Sequence, residues 1–154
     1  MAAQKISPSN FLGKFCIISI VIFTYYLGAH SFIPSAKQVA LFEVQGQIEK
    51  QFDEDNAKYF NGQLPPTYVR MTEIPPKGDQ YFMGDSGRGL FGAFQIRIDP
   101  RLNPAEQTAV LTLRHEECHL FAWETTGDFD SGHGAVFLAC EQKLLDAGAM
   151  KEIF

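Results

Sequence analysis

Residues 115 to 119 read His-Glu-Glu-Cys-His: two imidazoles four positions apart, with a carboxylate directly after the first. On an α-helix, residues at i and i+4 share a face, so His115 and His119 can present two ring nitrogens to one metal ion, with Glu116 projecting beside them. Neutral imidazoles suit Zn2+, and a zinc with three protein ligands keeps an open position for a water whose pKa falls to about 7. Glu116 is placed to take that water's proton and so is the candidate catalytic base. The pattern fixes only three residues, and two histidines can share the face of a surface helix with no metal between them. A third ligand decides the matter. Gly132-His133-Gly134 supplies one, since His133 opens a second helix-like run after a short loop; Glu141, further along that run, is the next candidate.

The elements that position these residues are legible in outline. Asn103, Pro104 and Glu106 have the residue types of an N-cap and of the first and third helical positions, and Thr125-Thr126-Gly127 ends the run. Between them Ala109, Val110, Leu111, Leu113, Leu120, Phe121, Ala122 and Trp123 set the motif within a largely buried helix. Ala135 to Ala147 is apolar at helical spacing and closed by Gly148; this helix must cross the motif helix to bring His133 to the metal. Upstream, Ala36 to Phe60 reads as a long helix with Val44, Ile48, Phe52 and Tyr59 near helical spacing, stopped by Asn61-Gly62. Pro65-Pro66 forces an extended entry into a strand at Thr67 to Met71. Asp79 to Met83 is a second strand candidate and Gly92 to Ile98 the clearest, with Phe94, Ile96 and Ile98 alternating against Gln95 and Arg97. Gly84, Gly87, Gly89 and Gly92 make the stretch between them a mobile turn, without the strand-helix context of a nucleotide-binding glycine loop. The expected class is α+β: a small mixed sheet packed with a long N-terminal helix, the motif helix and a C-terminal helix.

Glu117, Glu124, Asp128 and Asp130 lie near enough in sequence to orient the ligands. With three cysteines there is no disulfide framework. Cys118 is expected as a packed thiol, a bridge to Cys140 being the alternative in an oxidising compartment.

The HEECH run, then Trp123, then Gly-His-Gly-Ala-Val-Phe at 132 to 137 resemble the catalytic core of the SprT-like (Spartan-type) zinc metallopeptidases. Tyr59 to Pro66 (YFNGQLPP) and Gln95 to Leu102 (QIRIDPRL) match that family's pattern in the same order, so the resemblance covers about residues 36 to 148. It implies a zincin-like fold, zinc held by His115, His119 and His133, and Glu116 as catalytic base. It also implies a sheet edge, expected at the strand ending near Ile98, on which an extended peptide adds as a further strand. The zinc ribbon beyond the core of many relatives needs a four-cysteine set, which the sequence lacks.

The chain of 154 residues carries a net charge of −5; Lys5 and Lys14 precede residue 36, and all 18 acidic residues follow it. An acidic domain without a Lys/Arg cluster is a poor partner for nucleic acid. Residues 1–14 are polar and basic. From Phe15 to Ala29 no side chain is charged or strongly polar, and the run extends through His30 and Ser31 to Ile33. Residues 15–33 are therefore expected to form a membrane-directed helix, a single-pass anchor favoured by Tyr25 and Tyr26 as interfacial aromatics, with a cleaved signal peptide ending at Ala29-His30-Ser31 as the rival. Either places residues 36–154, the expected metallopeptidase domain, outside the cytosol. The expected activity is zinc-dependent hydrolysis of peptide bonds in a protein or peptide substrate. The alternative is a membrane-anchored, non-catalytic peptide-binding protein with a structural zinc.

Overall fold

The β-branched and aromatic residues of Phe94–Ile98 organise a sheet that three helices build upon. In the computed structural model, which describes residues 36–129 and 132–150, the order is α1 (Ala36–Tyr59), β1 (Thr67–Met71), β2 (Gly84–Arg88), a single 3-10 turn (Leu90–Gly92), β3 (Phe94–Ile98), α2 (Glu106–Thr126) and α3 (Ala135–Asp146). This is the expected α+β class. The sheet and both later helices belong to one compact unit that begins at Ala40. The polar N-terminus at 1–14, the membrane-directed segment at 15–33 and Asp130 lie outside the described residues. Among those described, no helix is long and apolar enough to cross a membrane.

The sheet order is β1-β3-β2, with β1 parallel to β3 (Thr67 opposite Phe94) and β2 antiparallel to it (Gly84 opposite Ile98). Two expectations are corrected by this topology. The strand ending at Ile98 is central, not an edge: Ile96 and Ile98 are wholly buried, and a strand of that composition takes a neighbour on both sides. Gly84–Arg88 is a strand, not a mobile turn, while Asp79 to Met83 is not a strand: Gln80 pairs with Lys77 in a turn, and Met83 leads into β2. Glycine is costly in a strand, but at Gly84 it is required: a Cβ there would lie 2.5 Å from Thr112 Cγ2 and 3.2 Å from the Arg97 carbonyl. The turn is confined to the tip, where Phe91 adopts φ 63° and is fully exposed.

The sheet's two outer edges are treated differently. On β1, the Gln45 side chain of α1 donates to the Val69 carbonyl (2.8 Å) and accepts from the Met71 amide (2.6 Å), taking the place of a neighbouring strand. On β2, the Met83 carbonyl accepts from Asp99 N and Gly89 N donates to the Ala93 carbonyl, both at 2.8 Å. The alternation of an antiparallel ladder therefore turns the backbone groups of Gly84, Ser86 and Arg88 outward.

Helix α2 lies against β2, β3 and α3, and Leu113 and Leu120 on it join Ile48, Phe52, Val69, Ile96, Phe137 and Leu144 in one core. Each such side chain contributes about 1.5–3 kcal/mol by leaving water. The start of α2 differs from expectation. Ala105, not Asn103, precedes the helix, and no side chain caps it. Asn103 is instead buried: its amide donates to the carbonyls of Met83 (2.8 Å) and Asp99 (2.9 Å), and its oxygen accepts from Thr112 Oγ1 (2.7 Å). Asp99, buried beside it, accepts from Arg101 and from Ile74 N, and the Arg101 guanidinium holds its carboxyl down at about 2. Arg114 on α2 bonds Asp55 of α1 (2.7 Å) and the Ala149 carbonyl, which fixes the motif helix about its axis. Cys118 and Cys140 form a disulfide between α2 and α3, with Cα atoms 5.6 Å apart, so the expected packed thiol gives way to the bridge. The helix crossing that carries His133 to the motif brings these two positions together.

Candidate metal centre

His115 and His119 fall one turn apart on α2, and Gly132 (φ 54°) and Gly134 bend the chain so that His133 stands at the entry to α3. The three side chains each offer a nitrogen, all within 4.8 Å of one another. His115 Nε2 and His133 Nε2 are 3.3 Å apart. Beneath them Phe137, four residues after His133 and almost wholly buried, sets its ring centroid 5.0 Å from His115, 4.4 Å from His119 and 4.5 Å from His133. One aromatic floor thus supports all three imidazoles.

The state of His119 and the hydrogen bonding of His115 fit a metal-binding role. Burial, and then the neighbouring His115 and His133, push the His119 imidazole down to about 4, so it is neutral near pH 7 and its lone pair is available. His119 Nδ1 is buried without a hydrogen-bond partner. On His115, Nδ1 meets Glu141 Oε1 at 2.8 Å, a contact that makes Nδ1 the protonated nitrogen and turns Nε2 toward His133. Two nitrogens at vertices of a tetrahedral zinc site with Zn–N of about 2.0–2.1 Å are separated by about 3.3–3.4 Å. The donor set is close-set and oriented, and the residues fit such an ion.

Glu116 is buried, and Ser86 Oγ on β2 donates to its Oε2 at 2.6 Å. Its other oxygen lies where a Gly84 Cβ would come within 3.1 Å, so a side chain at that position would crowd the carboxyl. Burial raises the Glu116 carboxyl to about 7; the Ser86 hydrogen bond opposes that shift, and the charge of Asp85 adds to it. A proton acceptor with that value is matched to proton transfer near neutral pH.

Of the expected orienting residues, Glu117 points elsewhere: wholly buried, with neither oxygen hydrogen-bonded, its carboxyl is pushed well up by burial and then by Asp55. Glu124 and Asp128 are exposed. Among the described residues Glu141, which the sequence offers as a reserve ligand, is a carboxylate in contact with a candidate ligand, His115. Ser86 was hidden by the glycines around it, although reading 84–88 with a period of two places it on the face of Gly84. Replacing Glu141 by Gln is expected to weaken metal affinity about 10- to 100-fold, read by competition with a chromophoric chelator; unchanged affinity would show that His115 orients itself.

Comparison with protein-family models, with curated proteins and with solved structures finds no match to this chain. The functional reading therefore rests on the centre itself.

Proposed function

We propose that this chain is a zinc-dependent metalloendopeptidase of SprT-like, zincin-like type, with His115, His119 and His133 as zinc ligands and Glu116 as catalytic base. The observation that carries the reading is the 3.3 Å separation of His115 Nε2 and His133 Nε2, with a buried carboxylate on the residue adjoining one of them. A bound zinc would polarise the scissile carbonyl and acidify a water. Glu116 accepts the proton at its carboxylate and returns it to the departing amine. Ser86 fixes the carboxylate, and Glu141 holds the His115 ring. The outward backbone of Gly84, Ser86 and Arg88 can pair with an extended peptide as a fourth strand, and this edge runs past Glu116. A structural zinc normally takes four protein ligands, and the described residues bring together three, which favours an enzyme over a non-catalytic peptide-binding protein.

The domain is proposed to sit outside the cytosol, tethered by residues 15–33 or released by their cleavage. The Cys118–Cys140 disulfide supports this placement, since such bridges persist in oxidising compartments and are rare in reducing ones.

The test is metal content and proteolysis of the purified full chain. About one zinc per chain is expected, with cleavage of an unfolded protein substrate that a chelator stops and added zinc restores. His133→Ala is expected to lose both zinc and cleavage. Full zinc occupancy in that variant would move the third ligand elsewhere, and a zinc-loaded wild type that cuts nothing would remove the peptidase reading.

A further inference from the structure

A cavity of about 510 Å3 opens at the Gly84 end of β2, directly beside His115 and Glu116. This lies within the range of about 300–1,000 Å3 typical of ligand pockets. Its walls are the rings of Tyr81 and Phe82, the thioether of Met83 and the isobutyl group of Leu111, and its back is formed by Gly84 and Thr112. Tyr81 and Met83 are large apolar side chains left 66% and 47% exposed, although the chain has a core in which to bury such groups. Among the described residues no Lys, Arg or Asp lines the space, and its carboxylate and imidazole are those of the candidate centre. An acidic guest would find no basic side chain of the pocket wall to replace its hydration.

The opposite end of the same edge is filled by the chain itself. There the Arg88 guanidinium lies 4.7 Å from the Phe94 ring and 4.8 Å from the Phe129 ring, and Phe129 packs on Trp123, which stacks on His119. Open apolar volume next to Glu116 is thus found at the Gly84 end.

We propose that this cavity is a specificity pocket that seats a bulky apolar or aromatic side chain immediately flanking the scissile bond, so that the substrates are segments with such a residue in extended conformation. The inference rests on the peptidase reading for the word scissile, but the pocket's preference is measurable without catalysis. A peptide paired with the outward backbone of Gly84 and Ser86 carries its side chains past the pocket mouth, and Met83 and Leu111 set what fits.

The experiment uses the full zinc-loaded chain and blocked decapeptides of Ala, Gly and Ser carrying one varied residue: Phe, Leu, Ala or Asp. Cleavage is expected at a bond adjoining Phe or Leu, with kcat/KM at least about 100-fold above that for Asp. In Met83→Lys the preference for Phe should fall and Asp should become the better residue. The same peptides are titrated onto the Glu116→Gln chain by tryptophan fluorescence. Phe binding more tightly than Asp there, with reversal in the Met83→Lys, Glu116→Gln double variant, supports the pocket even if no peptide is cut, in which case the peptidase reading alone fails. Equal binding of all four peptides, or cleavage indifferent to the varied residue, overturns the pocket.

Discussion

Replacing Glu116 by Gln is expected to reduce peptide hydrolysis by about 10²- to 10⁴-fold, the range associated with a positioned general base, while zinc content stays at the wild-type level. The amide keeps the size of the carboxyl and can still accept the Ser86 hydroxyl at its oxygen, so the 2.6 Å contact with β2 has a counterpart in the variant. What is lost is proton affinity. The wild-type carboxyl is buried and raised to about 7, so a neutral amide in its place removes a group that is costly to ionise there, and folding should not suffer. Thermal unfolding and metal analysis of the variant beside the wild type separate the two effects. Hydrolysis at the wild-type rate, with zinc bound, would exclude Glu116 as the base.

Removing the disulfide is expected to cost the domain a large share of its stability. With both cysteines changed to Ala, the bridge that closes a separation of 22 residues is lost. The chain-entropy estimate for a loop of that size is about 3 kcal/mol, set against the roughly 5–15 kcal/mol that a domain possesses. Alanine is the appropriate replacement because both positions are buried, and a serine hydroxyl there would add a desolvation cost of its own. The effect reaches the centre as well, since Cys118 adjoins His119 and Cys140 adjoins Glu141, so zinc affinity should fall together with the denaturation midpoint. Urea unfolding of the double variant, and of the wild type with and without reductant, measures this. A midpoint unchanged in both comparisons would show that α2 and α3 are held by packing alone.

The residues of the centre were legible because their spacing is local. An i, i+4 pair needs only a helix, and His133 between two glycines at a helix entry needs only a turn. The partners of those residues were not legible in the same way. Glu141 reaches His115 because α3 crosses α2, a fact of tertiary packing, and nothing in its sequence neighbourhood distinguishes an orienting carboxylate from a ligand. Ser86 sits among glycines whose propensity speaks for a turn; the ladder with β3 and the close approach of Thr112 at Gly84 overrode it. Asn103 has the residue type of a helix cap, yet the buried carbonyls of Met83 and Asp99 and the hydroxyl of Thr112 claimed its side chain instead. The alternation in Phe94–Ile98 marked a strand but could not say how many neighbours it had.

Gln45 on the outer edge of β1 limits what the sheet can join. A sheet with two bare edges has a valence of two, and copies of it can add to one another without end. Here the side-chain amide of Gln45 satisfies the Val69 carbonyl and the Met71 amide, which reduces the valence to one. A single incoming strand along Gly84–Arg88 saturates the sheet. Two copies meeting through that edge would use the same patch on both sides, close as a pair and stop there, covering both centres as they did so.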